Sequence, residues 1–252
     1  MKIRFLGTGT SYGIPVIGCG CNVCSSADPR NMRSRSAVLV QTDTSNVLID
    51  APQELRLQLS AANIRDLNAV VITHDHSDHL LGLDDTRIFV NRTQKPMPVF
   101  ARKSVIERIR QVFYYSSGRP EITCGLPRFE FHEINGAFSA AGLNIVPLPV
   151  YHGDVEISGF RINDLAYITD CSEIPEQTFS LLNGVGVLIL NALRREPHPT
   201  HFSLAQSIEA AERINARKTF FTHISHGLEH RKISGELPPG MQLAYDGLEI
   251  AC

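Results

Sequence analysis

Long apolar runs are missing from this chain. No segment reaches the roughly 20 residues needed to cross a bilayer, and the opening Met1-Lys2-Ile3-Arg4-Phe5-Leu6-Gly7 has no apolar signal-peptide core. These two absences give the expectation of a cytoplasmic protein with no membrane partner. An excess of charge of one sign is missing as well. With 24 Lys and Arg against 26 Asp and Glu, the formal net charge is −2, so there is no electrostatic case for a nucleic-acid or membrane-surface partner. Internal repeats, low-complexity tracts and long Gly/Ser linkers are also absent. A chain of 252 residues can bury a substantial core without stapling, and a single domain over residues 1–252 is expected. In a cytoplasmic protein the six cysteines read as thiols or metal ligands rather than disulfides.

What the chain does have is a concentrated run of metal-competent side chains. In Thr73-His74-Asp75-His76-Ser77-Asp78-His79, three imidazoles and two carboxylates follow the apolar segment Ala69-Val70-Val71-Ile72. A buried strand ending this way suits a metal site better than it suits packing. His74 and His76 are two apart, so in an extended segment both project to one side. Asp78 and His79 then fall on the following turn, within reach of a second ion. Imidazole and carboxylate are ligands for zinc, manganese or iron, and two such ions close together make a hydrolytic site.

Short apolar strands are expected at Lys2 to Leu6, Ser36 to Gln41, Asn46 to Ile49, Ala69 to Thr73, Leu143 to Val150, Leu165 to Thr169, Val187 to Leu190 and Lys218 to Thr222. Helical periodicity appears between them. Val105, Ile109, Val112 and Phe113 form one stripe over Ser104 to Tyr114. Leu204, Ile208, Ala211 and Ile214 form another over Ser203 to Ala216, with Ser203 and Gln206 as a capping box. Strands interleaved with helices predict a layered α/β domain, and near-continuous Val, Ile and Leu predict sheets buried on both faces. Five of the strands run into a metal-competent residue at the carboxyl end: Asp50, His74, His152, Asp170 and His223. One edge of a rigid sheet is where an α/β fold assembles chemistry.

Asp50, the His74-x-His76-x-Asp78-His79 signature, His152, Asp170 and His223 together resemble the metallo-β-lactamase superfamily in order and spacing. That resemblance spans nearly the whole chain and implies a four-layer αββα sandwich. It implies that His74, His76 and His152 hold one metal, that Asp78, His79 and His223 hold the other, and that Asp170 bridges. Asp50 would orient ligands, and a hydroxide shared by the ions would be the nucleophile.

A second constellation, Cys19-Gly20-Cys21-Asn22-Val23-Cys24, is a C-x-C-x-x-C cluster of soft thiol ligands. A structural zinc wants a fourth ligand, and His226 in His223-Ile224-Ser225-His226 is the candidate. Cys124, Cys171 and Cys252 have no ligand spacing and read as inert. Combined with Phe5-Leu6-Gly7-Thr8-Gly9-Thr10, Ile168-Thr169-Asp170 and Asp246-Gly247-Leu248-Glu249-Ile250, this cluster resembles the PhnP-type phosphodiesterases of the carbon–phosphorus lyase pathway. The resemblance implies hydrolysis of 5-phosphoribosyl 1,2-cyclic phosphate or of 2′,3′-cyclic nucleotides, with zinc or manganese at the dinuclear site, and a homodimer. The stretches Asp50 to Leu55 and Asp84 to Gly125 depart from the family pattern.

His201, in Pro199-Thr200-His201-Phe202-Ser203-Leu204, occupies the place where this family keeps a histidine that touches the phosphate. An alkoxide leaving group needs a proton, and a histidine can supply it. The nearby helix amino terminus favours an anion. The expected catalytic set is therefore His201, Asp78 and Asp50. His132, His198 and His230 read as solvated surface residues, as do Arg87, Arg92 and Arg119. Three alternatives share the site: a tRNA 3′-end nuclease, a lactone or thioester hydrolase, and a non-catalytic relative like the pyrroloquinoline quinone biosynthesis protein. The first would carry a protruding basic arm, which this sequence lacks, and the last would show eroded ligands.

Overall fold

Strands without a polar face are satisfied only by burial on both sides. Ala37-Val38-Leu39-Val40 meets that condition in the computed structural model, which describes residues 1–116 and 125–252. Among these residues the chain forms strands β1 (Lys2–Gly7), β2 (Ala37–Gln41), β3 (Asn46–Ile49), β4 (Ala69–Val71), β5 (Met97–Ala101), β6 (Phe129–Glu133), β7 (Phe138–Ala140), β8 (Leu143–His152), β9 (Val155–Ile162), β10 (Leu165–Ile168), β11 (Val187–Asn191), β12 (Lys218–Thr222), β13 (Met241–Leu243) and β14 (Glu249–Ala251). They build two sheets, in the order β14-β1-β2-β3-β4-β5-β6 and β13-β12-β11-β10-β9-β8-β7. Both sheets are mixed in the same way. From β14 to β3 and from β7 to β10 neighbours run antiparallel; from β3 to β6 and from β10 to β13 they run parallel.

The period-2 alternation of side chains sorts each central strand between two cores. Val38, Val40, Val47, Ile49 and Val71 face the second sheet, meeting Phe160, Ile162, Tyr167, Ile189 and Phe220. Leu39, Leu48 and Val70 face outward onto the helices Leu55–Ala61, Arg87–Thr93 and Lys103–Val112 through Leu55, Leu59, Phe89, Val90, Val105 and Ile109. On the far side Leu148, Ile168, Leu188 and Phe221 meet the helix Leu204–Ile214 through Leu204, Ala211 and Ile214. Three apolar layers therefore separate four layers of secondary structure, and the αββα sandwich is the fold. A fully buried Val or Leu in these layers contributes roughly 1.5–3 kcal/mol, so the sheet edge that carries the site rests on a stiff base.

The strands expected from the sequence are present with ends shifted by at most a residue or two; β8 runs on to His152. The helix expected over Ser104 to Tyr114 is Lys103–Val112, and that over Ser203 to Ala216 is Leu204–Ile214. The capping box is formed: Gln206 N–H donates to Ser203 Oγ, and Ser203 N–H donates to Gln206 Oε1 at 2.9 Å. Asp78 and His79, expected on the turn after the strand, lie in the helical turn Ser77–Leu80, whose entry follows the extended backbone of His76.

Candidate metal centre

The site forms where strands from both sheets stop. From the first sheet come Asp50, just beyond β3, and His74, three residues beyond β4. From the second come His152 at the end of β8, Asp170 beyond β10 and His223 beyond β12. Asp50, Asp170 and His223 have positive φ, at 65°, 55° and 54°. A left-handed conformation costs a non-glycine residue about 1–3 kcal/mol and persists only where the surroundings enforce it. At each of these three places it breaks the strand's alternation and turns the side chain into the space between the sheet ends.

Asp170 is the hub. Its Oδ1 lies 3.1 Å from His223 Nδ1 and 3.4 Å from His79 Nε2, while its Oδ2 lies 3.2 Å from His201 Nε2 and 3.9 Å from His74 Nε2. The donor atoms of Asp78, His79, Asp170 and His223 all fall within 4.8 Å of one another, as do those of His152, Asp170 and His201. His74, His76 and His152 pack ring against ring, with centroids 4.7, 5.0 and 5.7 Å apart. Every sequence-derived candidate of the dinuclear set is thus in one cluster.

The rings are held from behind. His152 Nδ1–H donates to the Asp170 carbonyl at 2.6 Å. Asp50 accepts from Thr73 N–H at 2.9 Å and from the Thr73 hydroxyl at 3.0 Å, so its carboxylate is left to accept from His79 Nδ1–H, at 2.7 Å. Both bonds fix the tautomer in which Nε2 carries the free lone pair. His74 Nε2 and His79 Nε2 are buried and make no hydrogen bond. A buried acceptor without a partner costs about 1–3 kcal/mol, and a metal ion would remove that cost. The residues therefore fit divalent metal binding.

Electrostatics agree for Asp78, Asp170, His74, His152 and His223 but not for His79, whose proton an ion would have to displace. Burial opposes charge on Asp170, yet His223, His79 and the bond from His201 hold its carboxyl well below the usual range. Burial also opposes charge on Asp78, and His79 outweighs it, so this carboxyl is lowered too. Burial disfavours the charged form of His79, but Asp170, Asp50 and Asp78 hold its imidazole well above the ordinary value. The other ligand candidates go down: burial lowers His74 strongly, lowers His152, and brings His223 to about 4. Anionic carboxylates and neutral imidazoles are the forms a metal takes.

The C-x-C-x-x-C loop closes on its expected partner. The Sγ atoms of Cys19, Cys21 and Cys24 lie 3.4, 3.4 and 3.5 Å from His226 Nδ1. The four donor atoms all lie within 4.8 Å of one another, and three thiols with one imidazole suit a tetrahedral metal ion. His226 is three residues from His223, so the loop is tied to the strand end that enters the main site.

His201 stands beside Asp170 and Thr200: Thr200 Oγ1 is 2.9 Å from His201 Nδ1 and 3.2 Å from His198 Nδ1. Two surface expectations are corrected here. His198 faces a cleft and packs on His201 with ring centroids 5.0 Å apart. His230 is buried, with Nδ1 accepting from Arg33 Nη2 at 3.1 Å. His132 is half-buried against Phe100. Arg87 pairs with Asp84, Arg92 caps the Arg65 carbonyl, and both stay outside the site. Cys171 is buried, with its thiol pushed far up by burial, and Cys252 is partly buried. Arg119 and Cys124 lie outside the described residues.

Residues 45–224 match the family model of the β-lactamase superfamily domain. Over its whole length the chain is also similar to a solved diphosphatase of the PhnP family, with 42% identity, a TM-score of 0.93 and coverage of 97% of that chain. The chain therefore belongs to the β-lactamase superfamily and is a metal-dependent hydrolase of its metallo-β-lactamase fold. Within that superfamily it resembles PhnP. Among curated proteins it is 35% identical to an octanoyltransferase of Porphyromonas gingivalis (strain ATCC BAA-308 / W83), matching 99% of this chain but only 51% of that protein. The chain thus spans about half the length of that relative. A ribonuclease Z of Mycobacterium sp. (strain KMS) is 26% identical over 83% of each chain.

Proposed function

We propose that the protein is a dinuclear phosphodiesterase acting on a small phosphate compound, of the cyclic-phosphate or the diphosphate kind. In this reading His74, His76 and His152 hold one divalent ion, Asp78, His79 and His223 hold the other, and Asp170 bridges. Zinc or manganese would fill these positions, with a structural zinc on Cys19, Cys21, Cys24 and His226. The observation that carries the reading is the division of labour on Asp170. One of its oxygens faces His79 and His223; the other faces His74 and His201.

When bound, the two ions would lower the pKa of water toward neutrality and neutralise charge on the phosphoryl oxygens. The rest is work for the chain's own residues. Asp50 and the Asp170 carbonyl keep His79 and His152 in the tautomer that offers Nε2. His201, the polar side chain beside Asp170 with a half-open face, gives a proton to the oxygen that leaves phosphorus. Water supplies the new P–O bond, the old one breaks, and the leaving alcohol or phosphate departs protonated. A cyclic phosphate diester and a diphosphate present the same centre, a phosphorus with one leaving oxygen and charge on the others. The similarity to a PhnP-family diphosphatase supports the diphosphate kind; the cyclic-phosphate kind rests on the resemblance of the sequence motifs. We also propose a cytoplasmic location, and the family resemblance extends the proposal to a homodimer.

The test is turnover of a panel by purified protein with added manganese or zinc: bis(p-nitrophenyl) phosphate, a 2′,3′-cyclic nucleotide, 5-phosphoribosyl 1,2-cyclic phosphate, a nucleoside diphosphate sugar, a lactone, a thioester and a pre-tRNA. Metal-dependent cleavage of the small phosphates, lost in Asp78→Ala, supports the proposal. Cleavage confined to the pre-tRNA, or to the lactone or thioester, overturns it.

A further inference from the structure

Beside the metal centre a cleft of about 520 Å³ opens between two loops, and His201 and His223 form its inner end. One wall is the segment carrying Tyr12. The other carries Leu193, Arg194 and Glu196. A space of this size takes a group as large as a nucleoside.

Both walls are rigid. In the Tyr12 loop, Gly13 N–H donates to the Thr10 carbonyl at 2.9 Å, Tyr12 N–H donates to Thr10 Oγ1 at 3.2 Å, and Ile14 pairs with Arg33 in both directions at 2.7 and 2.8 Å. This turn holds the Tyr12 ring out on the rim, where it is 75% exposed. An aromatic ring displayed on a fixed turn at the mouth of a catalytic cleft has no packing role there. In the opposite wall, Arg194 donates from Nη2 to the Pro197 carbonyl at 3.0 Å and from Nε to the Glu196 carbonyl at 3.4 Å. Its backbone is fixed as well, accepting from Leu204 N–H at 2.8 Å. These bonds fix the guanidinium in position yet leave its charge without a carboxylate partner among the described residues. The Glu196 carboxylate also borders the cleft, but it is exposed to water and not paired with Arg194. The neighbouring Arg195, by contrast, is neutralised by Glu236.

We infer that this cleft is the subsite for the part of the substrate beyond the scissile phosphorus. Arg194 receives a second phosphate there, and Tyr12 receives a ring or sugar. The inference rests on the phosphodiesterase reading and narrows it to substrates carrying two phosphates and a nucleoside-sized group. A planar guanidinium with its Nε/Nη2 edge anchored offers its Nη1/Nη2 end as a fork to a phosphate, a charge-assisted arrangement that a lysine does not reproduce. The position of His201 at the inner end of the same cleft puts the leaving oxygen between the reacting phosphorus and this subsite.

The experiment compares UDP-glucose, which carries a second phosphate, with bis(p-nitrophenyl) phosphate, which does not, on the metal-loaded full chain. In Arg194→Ala the KM for UDP-glucose should rise about tenfold or more with kcat nearly kept, and bis(p-nitrophenyl) phosphate should be untouched. Arg194→Lys should recover only part of the loss. Tyr12→Ala should raise the same KM and Tyr12→Phe should restore it. Equal effects on both substrates, or none, overturn the inference. A wild-type protein that cleaves neither these compounds nor the cyclic phosphates of the panel sinks the phosphodiesterase reading instead. The subsite is then decided by calorimetric binding of adenosine 5′-(α,β-methylene)diphosphate, which Arg194→Ala must weaken if the inference stands and leaves unchanged if it does not.

Discussion

Asp50 Oδ2 lies 2.7 Å from His79 Nδ1, and neither side chain is exposed to solvent. The pair links the end of β3 to the helical turn after β4 and decides which nitrogen of His79 faces the site. Asp50 also accepts from Thr73 N–H and the Thr73 hydroxyl, so its oxygens are taken up by Thr73 and His79. Asn tolerates the left-handed backbone that Asp50 adopts at φ 65°. Asp50→Asn should therefore keep the fold while weakening metal binding about 10–100-fold. Competition against a chelator measures this; an unchanged affinity would show that the bond does not orient the ligand.

His201 touches Asp170 and also shares a donor cluster with His152, so it must be separated from the metal ligands by experiment. If it is the proton donor, His201→Ala should lower kcat by about 10²–10⁴ with the metal content intact. The loss should be smaller for a p-nitrophenolate leaving group, which departs without help, than for an alkoxide. A metal analysis showing one ion lost would instead make His201 a ligand.

In the metal-stripped protein the three loop thiols should not react alike. The Cys21 thiol is held down to about 6, first by the Cys24 backbone N–H and then by the thiols and His226 around it. Burial pushes Cys24 up to about 11. The thiolate is the nucleophile, so at neutral pH iodoacetamide should label Cys21 before Cys24, and added zinc should protect both. Peptide mapping by mass spectrometry reads the order. If the cluster holds an ion, Cys21→Ser should release it and lower the melting temperature, because the loop then loses part of its tie to His226.

Much of this site is legible in the sequence because its ligands follow apolar strands whose alternation is plain. Asn46–Ile49 before Asp50 and Lys218–Thr222 before His223 are read correctly to the residue. What escapes is set by distant partners. β9, Val155–Ile162, mixes Glu156 and Arg161 with apolar residues, and its Gly159 looks like a break. In the fold that glycine lets β9 lie close to its neighbour; a Cβ there would stand 2.9 Å from the Tyr167 carbonyl oxygen. The left-handed backbone of Asp170 and His223 leaves no mark in composition either. The same is true of the Arg194 wall, which becomes a cleft only once the Tyr12 loop is folded against it.

His230 is the clearest such case, since its partner Arg33 is 197 residues away. Arg33 is fully buried and donates to Thr8 Oγ1 at 2.7 Å, to the Ala244 carbonyl at 2.6 Å and to His230 Nδ1 at 3.1 Å. An imidazole accepting from a guanidinium must be neutral at that nitrogen. Burial, then the charges of Arg33 and Arg30, bring its pKa from 6.5 down to about 4. Between those values the unfolded chain binds a proton that the folded chain refuses, so stability rises with pH across the window. The contribution is complete above about 6.5 and is lost as the pH falls toward 4. Thermal melts of the wild type should therefore drop over this range. In His230→Asn, which can keep an acceptor toward Arg33 but cannot titrate, that part of the drop should disappear. Because His230 and Arg33 lie apart from the dinuclear ligands, the variant should retain its metal content at neutral pH. A wild-type and variant pair with identical pH dependence would mean that folding leaves the His230 pKa unshifted and that Arg33 is stabilised by Asp246 instead, whose carboxylate accepts from Ser34 and Thr8.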